Sequence, residues 1–72
     1  MMSNLRYRRR LAGLTQIRTA RRSGVERSRL SLAECGHVEL SVEELEAVNG
    51  VLRSEIRARA EEYQRALHVE AL

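Results

Sequence analysis

Four isolated glycines interrupt a 72-residue chain that contains no proline and otherwise favours helix. β-Branched residues are few, and apolar and polar residues do not alternate over any long stretch, so strands are not expected. Glycine commonly ends a helix because it adopts positive φ without steric cost. The sequence therefore predicts an all-α protein whose first three helices are short and lie at about residues 5–12, 16–22 and 27–35.

A fourth helix is predicted to begin at Ser41. Residues 41–44 read Ser-Val-Glu-Glu, the pattern of a capping box, and Leu40 and Leu45 flank it as a hydrophobic staple. Apolar residues then recur every three or four positions, which is typical of one helical face: Leu45, Val48, Leu52, Ile56, Ala60, Tyr63 and Leu67. Gly50 is costly inside a helix, so the pattern leaves open one long helix or two.

So short a chain has few other residues against which the end of this apolar stripe could pack. A chain of this length buries only about 60% of the surface that its unfolded form exposes, so a partner chain would stabilise it. We predict that residues 1–52 form one domain and that residues 53–72 form a C-terminal helix that pairs with a second copy. The residues assigned to this pairing are Leu52, Ile56, Ala60, Tyr63 and Leu67. A different protein partner on the same helix is the alternative.

Charge is divided between the two halves of the chain. Residues 1–36 hold nine Arg and two Glu, a net +7, whereas residues 37–72 hold four Arg and eight Glu, a net −4. The basic half has the charge of a phosphate-binding surface. A solvated arginine-rich face would have the same composition, so charge alone does not decide between them.

Other classes of function lack support in the sequence. Cys35 is the single cysteine, which excludes an internal disulfide, and His37 does not complete the four ligands of a zinc site. No Ser/His/Asp or Cys/His arrangement indicates nucleophilic catalysis. No apolar stretch approaches the roughly 20 residues needed to span a bilayer, and the N-terminus does not read as a signal peptide. We expect a cytoplasmic protein that is not an enzyme and needs no cofactor or metal.

Several residues resemble the phage repressor/Cro type (Xre-like) of helix-turn-helix DNA-binding domain over about residues 5–52. They are Leu14-Thr15-Gln16, Ala20, Ser23-Gly24-Val25, Leu30, Glu34 and Gly36. The resemblance implies a four- to five-helix lambda-repressor-like domain, here with an extended C-terminal helix. It also implies that Arg9 and Glu34 form a partly buried salt bridge between the first and third helices.

The same resemblance implies which residues contact double-stranded DNA. The base-contacting positions of the family fall on Arg27, Ser28, Ser31 and Leu32, and arginine pairs with guanine O6 and N7 more often than any other side chain. Leu32 fits a thymine methyl group or an apolar contact with another protein, and both remain open. Phosphate-contacting or positioning roles fall on Thr15, Gln16, Arg8, Arg10, Arg18, Arg29 and His37, with Arg6 a further candidate.

These observations predict a sequence-specific transcriptional regulator. The favoured form is a repressor that binds a palindromic site as a homodimer, with its two reading helices about 34 Å apart in successive major grooves. The alternative is a protein-interaction module, like an antitoxin or anti-repressor, that keeps the fold with weak or no DNA binding.

Overall fold

The computed structural model describes residues 4–70, with side chains to residue 68, and places four α-helices and no strand among them. The helices are α1 Leu5–Leu11, α2 Gln16–Ser23, α3 Arg27–Glu34 and α4 Val42–Glu70. The predicted all-α class is confirmed, and each of the first three helices ends within one residue of its predicted end. Residues 1–3 and 71–72, which the predicted domain limits include, lie outside the described residues.

The helix starts predicted at residue 16 and at Ser41 are confirmed by the hydrogen bonds of the capping residues. Thr15 Oγ1 accepts a 3.1 Å hydrogen bond from the backbone N–H of Arg18 and so caps α2. Ser41 Oγ accepts one from the Glu44 backbone N–H at 3.1 Å, and Glu44 Oε1 accepts one from the Ser41 backbone N–H at 2.8 Å. These reciprocal bonds satisfy backbone donors that have no partner within the helix.

One continuous helix, α4, runs from Val42 to Glu70 and settles the question that Gly50 raised. Its 29 residues extend about 43 Å at 1.5 Å per residue, most of the 49 Å length of the molecule. The predicted domain limit between residues 52 and 53 therefore falls inside a helix. None of the helices described is long and apolar enough to cross a membrane.

The hydrophobic core lies where α1, α2 and α3 meet the first part of α4. Its buried members are Leu5, Ala12, Leu14, Val25, Leu30, Ala33, Val48 and Leu52. Thr19 is also fully buried, and its hydroxyl donates a 2.8 Å hydrogen bond to the backbone carbonyl of Thr15. A buried hydroxyl with such a partner avoids the cost of an unsatisfied polar group.

Leu52 corrects the predicted pairing surface. Its side chain is 0% exposed and belongs to the core, so it is not free to contact a second copy. Ile56, one turn later on α4, is 39% exposed and marks where the stripe leaves the core. The sequence pattern did not separate these two residues because they share one apolar stripe.

Candidate nucleic-acid interface

Two short helices joined by a tight turn, α2 and α3, form the centre of the candidate interface. Gly24 ends α2 in the left-handed conformation, with φ of 78°, and its N–H donates to the carbonyl of Ala20. Val25 follows it and is 5% exposed, while Leu30 on α3 is 0% exposed. These two apolar side chains seat α3 against the rest of the domain, and glycine provides the backbone conformation that the turn requires.

The outer face of α3 carries the four residues assigned to base contacts. Arg27 and Ser28 are exposed, Leu32 is 44% exposed and Ser31 is half-buried. The opposite face, with Leu30, Ala33 and Glu34, is buried. The helix therefore presents its first two turns to the outside, which is the geometry that entry into a major groove requires.

Glu34 anchors the inner end of α3 to both preceding helices. Its side chain is 0% exposed, and its Oε2 lies 2.6 Å from Nε of Arg9, whose own side chain is 11% exposed. A second bond joins Arg9 Nη2 to Glu34 Oε1 at 2.9 Å, so the contact is bidentate. The structure thus brings together the two residues that the resemblance implied as a pair.

Further donors complete the environment of this carboxylate. Gln16 Nε2 donates to Glu34 Oε1 at 3.2 Å, and the more exposed Arg6 approaches the same oxygen at 3.5 Å. Burial raises the pKa of Glu34, but the hydrogen bonds from Arg9 and Gln16 outweigh it and hold the pKa below its usual value. The hydrogen bond to Glu34 likewise raises the pKa of Arg9. Both groups are therefore charged at neutral pH.

Among the residues assigned to phosphate contact, some side chains are free and others already bind a carboxylate of the same domain. Arg10, Arg18 and His37 are exposed and Arg8 is half-buried, and within the described part of the chain these three arginines form no ion pair. Thr15 is exposed at the α2 N-terminus, where backbone N–H groups and the helix dipole favour an anion.

The assignment of Arg29 to a phosphate contact is corrected by its ion pair with Glu44. Its Nε and Nη2 donate to the two carboxylate oxygens of Glu44 at 2.5 and 2.8 Å, and Nη2 also reaches the carbonyl of Glu39. The hydrogen bond from Arg29 is the main reason that the pKa of Glu44 falls to about 2. This guanidinium therefore ties α3 to α4 instead of being free for a phosphate.

Arg6 and Gln16 are occupied in a similar way, since both donate to the buried Glu34. Their observed contacts position α1 and α2 against α3. Gln16 stays a predicted positioning residue, whereas Arg6 is a weaker phosphate candidate than the unpaired arginines.

Sequence reasoning missed Arg21, which is exposed on α2 and forms no ion pair with a described residue. Its spacing from Arg18, three residues along a helix, places both on neighbouring positions of one face and was a usable signal. Adjacent Arg22 differs, since its Nη1 donates to Glu55 at 2.9 Å and so ties α2 to α4.

The arginines of the basic half therefore separate into two groups of different use. Four of the nine are paired with carboxylates inside the domain: Arg6, Arg9, Arg22 and Arg29. The other five form no ion pair with a described residue, and they are Arg8, Arg10, Arg18, Arg21 and Arg27. This second group supplies the free positive charge of α1, α2 and α3.

The comparisons with known proteins give one match. A family model described as Helix-turn-helix, of the Xre/lambda-repressor-like type, matches residues 5–58. That range covers the first three helices and α4 as far as residue 58. Searches of curated proteins and of solved structures found no match.

Proposed function

Because this chain belongs to the Xre/lambda-repressor-like helix-turn-helix family of DNA-binding transcription regulators, we propose that it represses transcription as a homodimer on a palindromic DNA site. The observation that carries the proposal is the division of α3 into a buried, anchored face and an outward face. A reading helix must be held rigidly, since misplaced side chains lose directional hydrogen bonds to base edges. The proposal also places the protein in the cytoplasm.

The outward face of α3 supplies different kinds of base contact. Arg27 stands at the first position of the helix, where its fork of donors suits guanine O6 and N7. Ser28 and Ser31 hydrogen-bond to several bases and so discriminate less. Leu32 at 44% exposure suits a thymine methyl group. Specificity in this reading rests mainly on Arg27.

The five unpaired arginines and the α2 N-terminus would position the domain on the phosphate backbone. Each phosphate contact contributes about −0.9 to the slope of log affinity against log salt concentration. With about four phosphates contacted by each protomer, the slope for the dimer is about −7. A measured slope shallower than about −2 contradicts this assignment of the basic surface.

Selection of bound sequences from a random DNA pool tests binding, specificity and half-site spacing in one experiment. The proposal expects an inverted repeat in the selected DNA. Arg27→Ala and Ser31→Ala should then lose discrimination at one position of each half-site by about 1–3 kcal/mol, at unchanged folding. Arg65→Ala on α4 is the matched control, because it removes an exposed arginine far from α3 along the chain.

The exposed Leu32 favours one second candidate, a protein-interaction module on the same fold. An apolar side chain on the outward face is suited to a partner protein as well as to thymine. This candidate predicts that Arg27→Ala leaves DNA affinity unchanged and that no sequence is enriched from the pool.

A further inference from the structure

The end of α4 carries an apolar stripe that stays largely exposed among the residues that the structure describes. Ile56 is 39% exposed, Tyr63 66% and Leu67 46%, and Ala60 between them is exposed. We propose that two copies pair these stripes in antiparallel orientation, with Ile56 against the partner's Leu67 and Ala60 against the partner's Tyr63. This inference rests on the proposed homodimer and specifies its surface and direction.

The spacing of the stripe reads the same in both directions. The steps from Ile56 to Ala60, Tyr63 and Leu67 are four, three and four residues. Reversing the helix about the midpoint between residues 61 and 62 exchanges the outer two residues and exchanges the inner two. A second copy of this chain in antiparallel orientation therefore brings every apolar residue opposite another, at the three-and-four spacing of paired helices.

Side-chain size distinguishes antiparallel from parallel pairing. In antiparallel orientation each inner layer holds one alanine and one tyrosine, and each outer layer holds one isoleucine and one leucine. Parallel orientation instead places Ala60 against Ala60 and Tyr63 against Tyr63, which leaves one layer underfilled and crowds the next. Facing helices pack well where large side chains meet small ones, so the sequence of sizes favours the antiparallel pair.

Charge around the stripe permits the pairing. Glu61 and Glu62, on either side of the midpoint, lie about 130° around the helix from the centre of the stripe at about 100° per residue, so the four glutamates of a pair do not face one another. Arg57 and the partner's Gln64 border the contact on one side, and their aliphatic stems can cover its edge.

The register also sets how far apart the hydrophobic cores of the two copies lie along the axis of α4. Val48, which shares the core cluster with Leu30 of α3, lies about 20 Å along the axis from the midpoint at 1.5 Å per residue. The Val48 residues of the two copies are therefore about 40 Å apart along the axis. That distance is close to the 34–36 Å that separates half-sites one DNA turn apart.

Cysteine cross-linking tests the orientation on the full chain, with Cys35→Ser as background. Ile56→Cys and Leu67→Cys variants are mixed under mild oxidation, and we expect a disulfide between the two different variants. Ile56→Cys alone should not cross-link, since its two copies lie about 16 Å apart along the axis, beyond disulfide reach. Glu43→Cys mixed with Leu67→Cys is the negative control. Cross-links within the Ile56→Cys variant alone overturn the antiparallel register.

Two exposed tyrosines give a matched test of the pairing surface. Tyr63 on α4 is 66% exposed and Tyr7 on α1 is 65% exposed. Mass measurement in solution, from about 1 µM to about 1 mM, should show a dimer that Tyr63→Ala weakens at least tenfold and Tyr7→Ala leaves unchanged. A monomer throughout this range, or equal loss in both variants, overturns the proposal.

The two proposals fail in distinguishable ways. A chain that cross-links between Ile56→Cys and Leu67→Cys but enriches no DNA sequence keeps the pairing and loses the DNA function. A chain that selects a DNA sequence as a monomer keeps the function and loses the pairing.

Discussion

Removing the guanidinium of Arg9 should cost a large part of the stability of this domain. At 0.05–0.15 kcal/mol per residue, a 72-residue chain has about 4–11 kcal/mol of folding free energy. Glu34 is fully buried, and the loss of one member of a buried ion pair costs about 3–5 kcal/mol. Arg9→Met should fall near the lower end, about 3 kcal/mol, because Gln16 and Arg6 still donate to the carboxylate.

Arg6→Met is the matched control for this substitution. Both arginines belong to α1 and approach the same carboxylate, but the Arg6 side chain is 45% exposed and lies 3.5 Å from Glu34 Oε1. Exposed pairs contribute about 0–1 kcal/mol, so Arg6→Met should cost less than about 1 kcal/mol. The contrast between the two variants measures the effect of burial.

Urea denaturation followed by far-ultraviolet circular dichroism provides the free energies of unfolding. Each variant is measured at several protein concentrations, since pairing of two copies raises apparent stability. A double-mutant cycle with Glu34→Gln should give a coupling energy of about 2 kcal/mol between the two positions. Equal costs of Arg9→Met and Arg6→Met, or additivity of Arg9→Met and Glu34→Gln within about 0.5 kcal/mol, would contradict the buried pair as the source of this stability.

Three further predictions concern the glycines, the apolar stripe and pH. Gly13 has φ of 69° and an added Cβ would meet a guanidinium of α4, so Gly13→Ala should destabilise by at least about 1 kcal/mol. Gly50 lies within α4 in open space, and Gly50→Ala should stabilise by about 0.5–1 kcal/mol; thermal unfolding compares both variants. Leu52→Ala should cost about 2–5 kcal/mol of folding stability, whereas Tyr63→Ala should leave the unfolding of the monomer nearly unchanged. An equal loss for the two variants in urea denaturation would contradict the placement of Leu52 in the core and of Tyr63 outside it. The pKa of Glu44 is lowered from 4.5 to about 2, so its stabilisation is complete above about pH 4.5 and is lost as the pH falls toward 2; Glu44→Gln should remove that part of the acid-unfolding profile.

Local patterns in the sequence were sufficient to predict where the helices begin, although they left open whether α4 is one helix or two. The capping residues Thr15 and Ser41 and the turn at Gly24 act over three or four residues, so their effect is visible without knowledge of the rest of the chain. The family resemblance added the Arg9 and Glu34 pair, which local patterns do not show because 25 residues separate its members.

Tertiary packing decided which side of each helix is buried and which charges are used. Leu52 and Ile56 lie on one sequence stripe, but the core that the other helices form with α4 includes Leu52 and leaves Ile56 partly exposed. Arg27 and Arg29 lie two residues apart, and the sequence pattern does not distinguish them. Only Arg29 pairs with Glu44, which comes within its reach once the chain folds back after α3. Helix formation depends on neighbours along the chain, whereas burial and ion pairing depend on neighbours in space, which the sequence pattern alone does not identify.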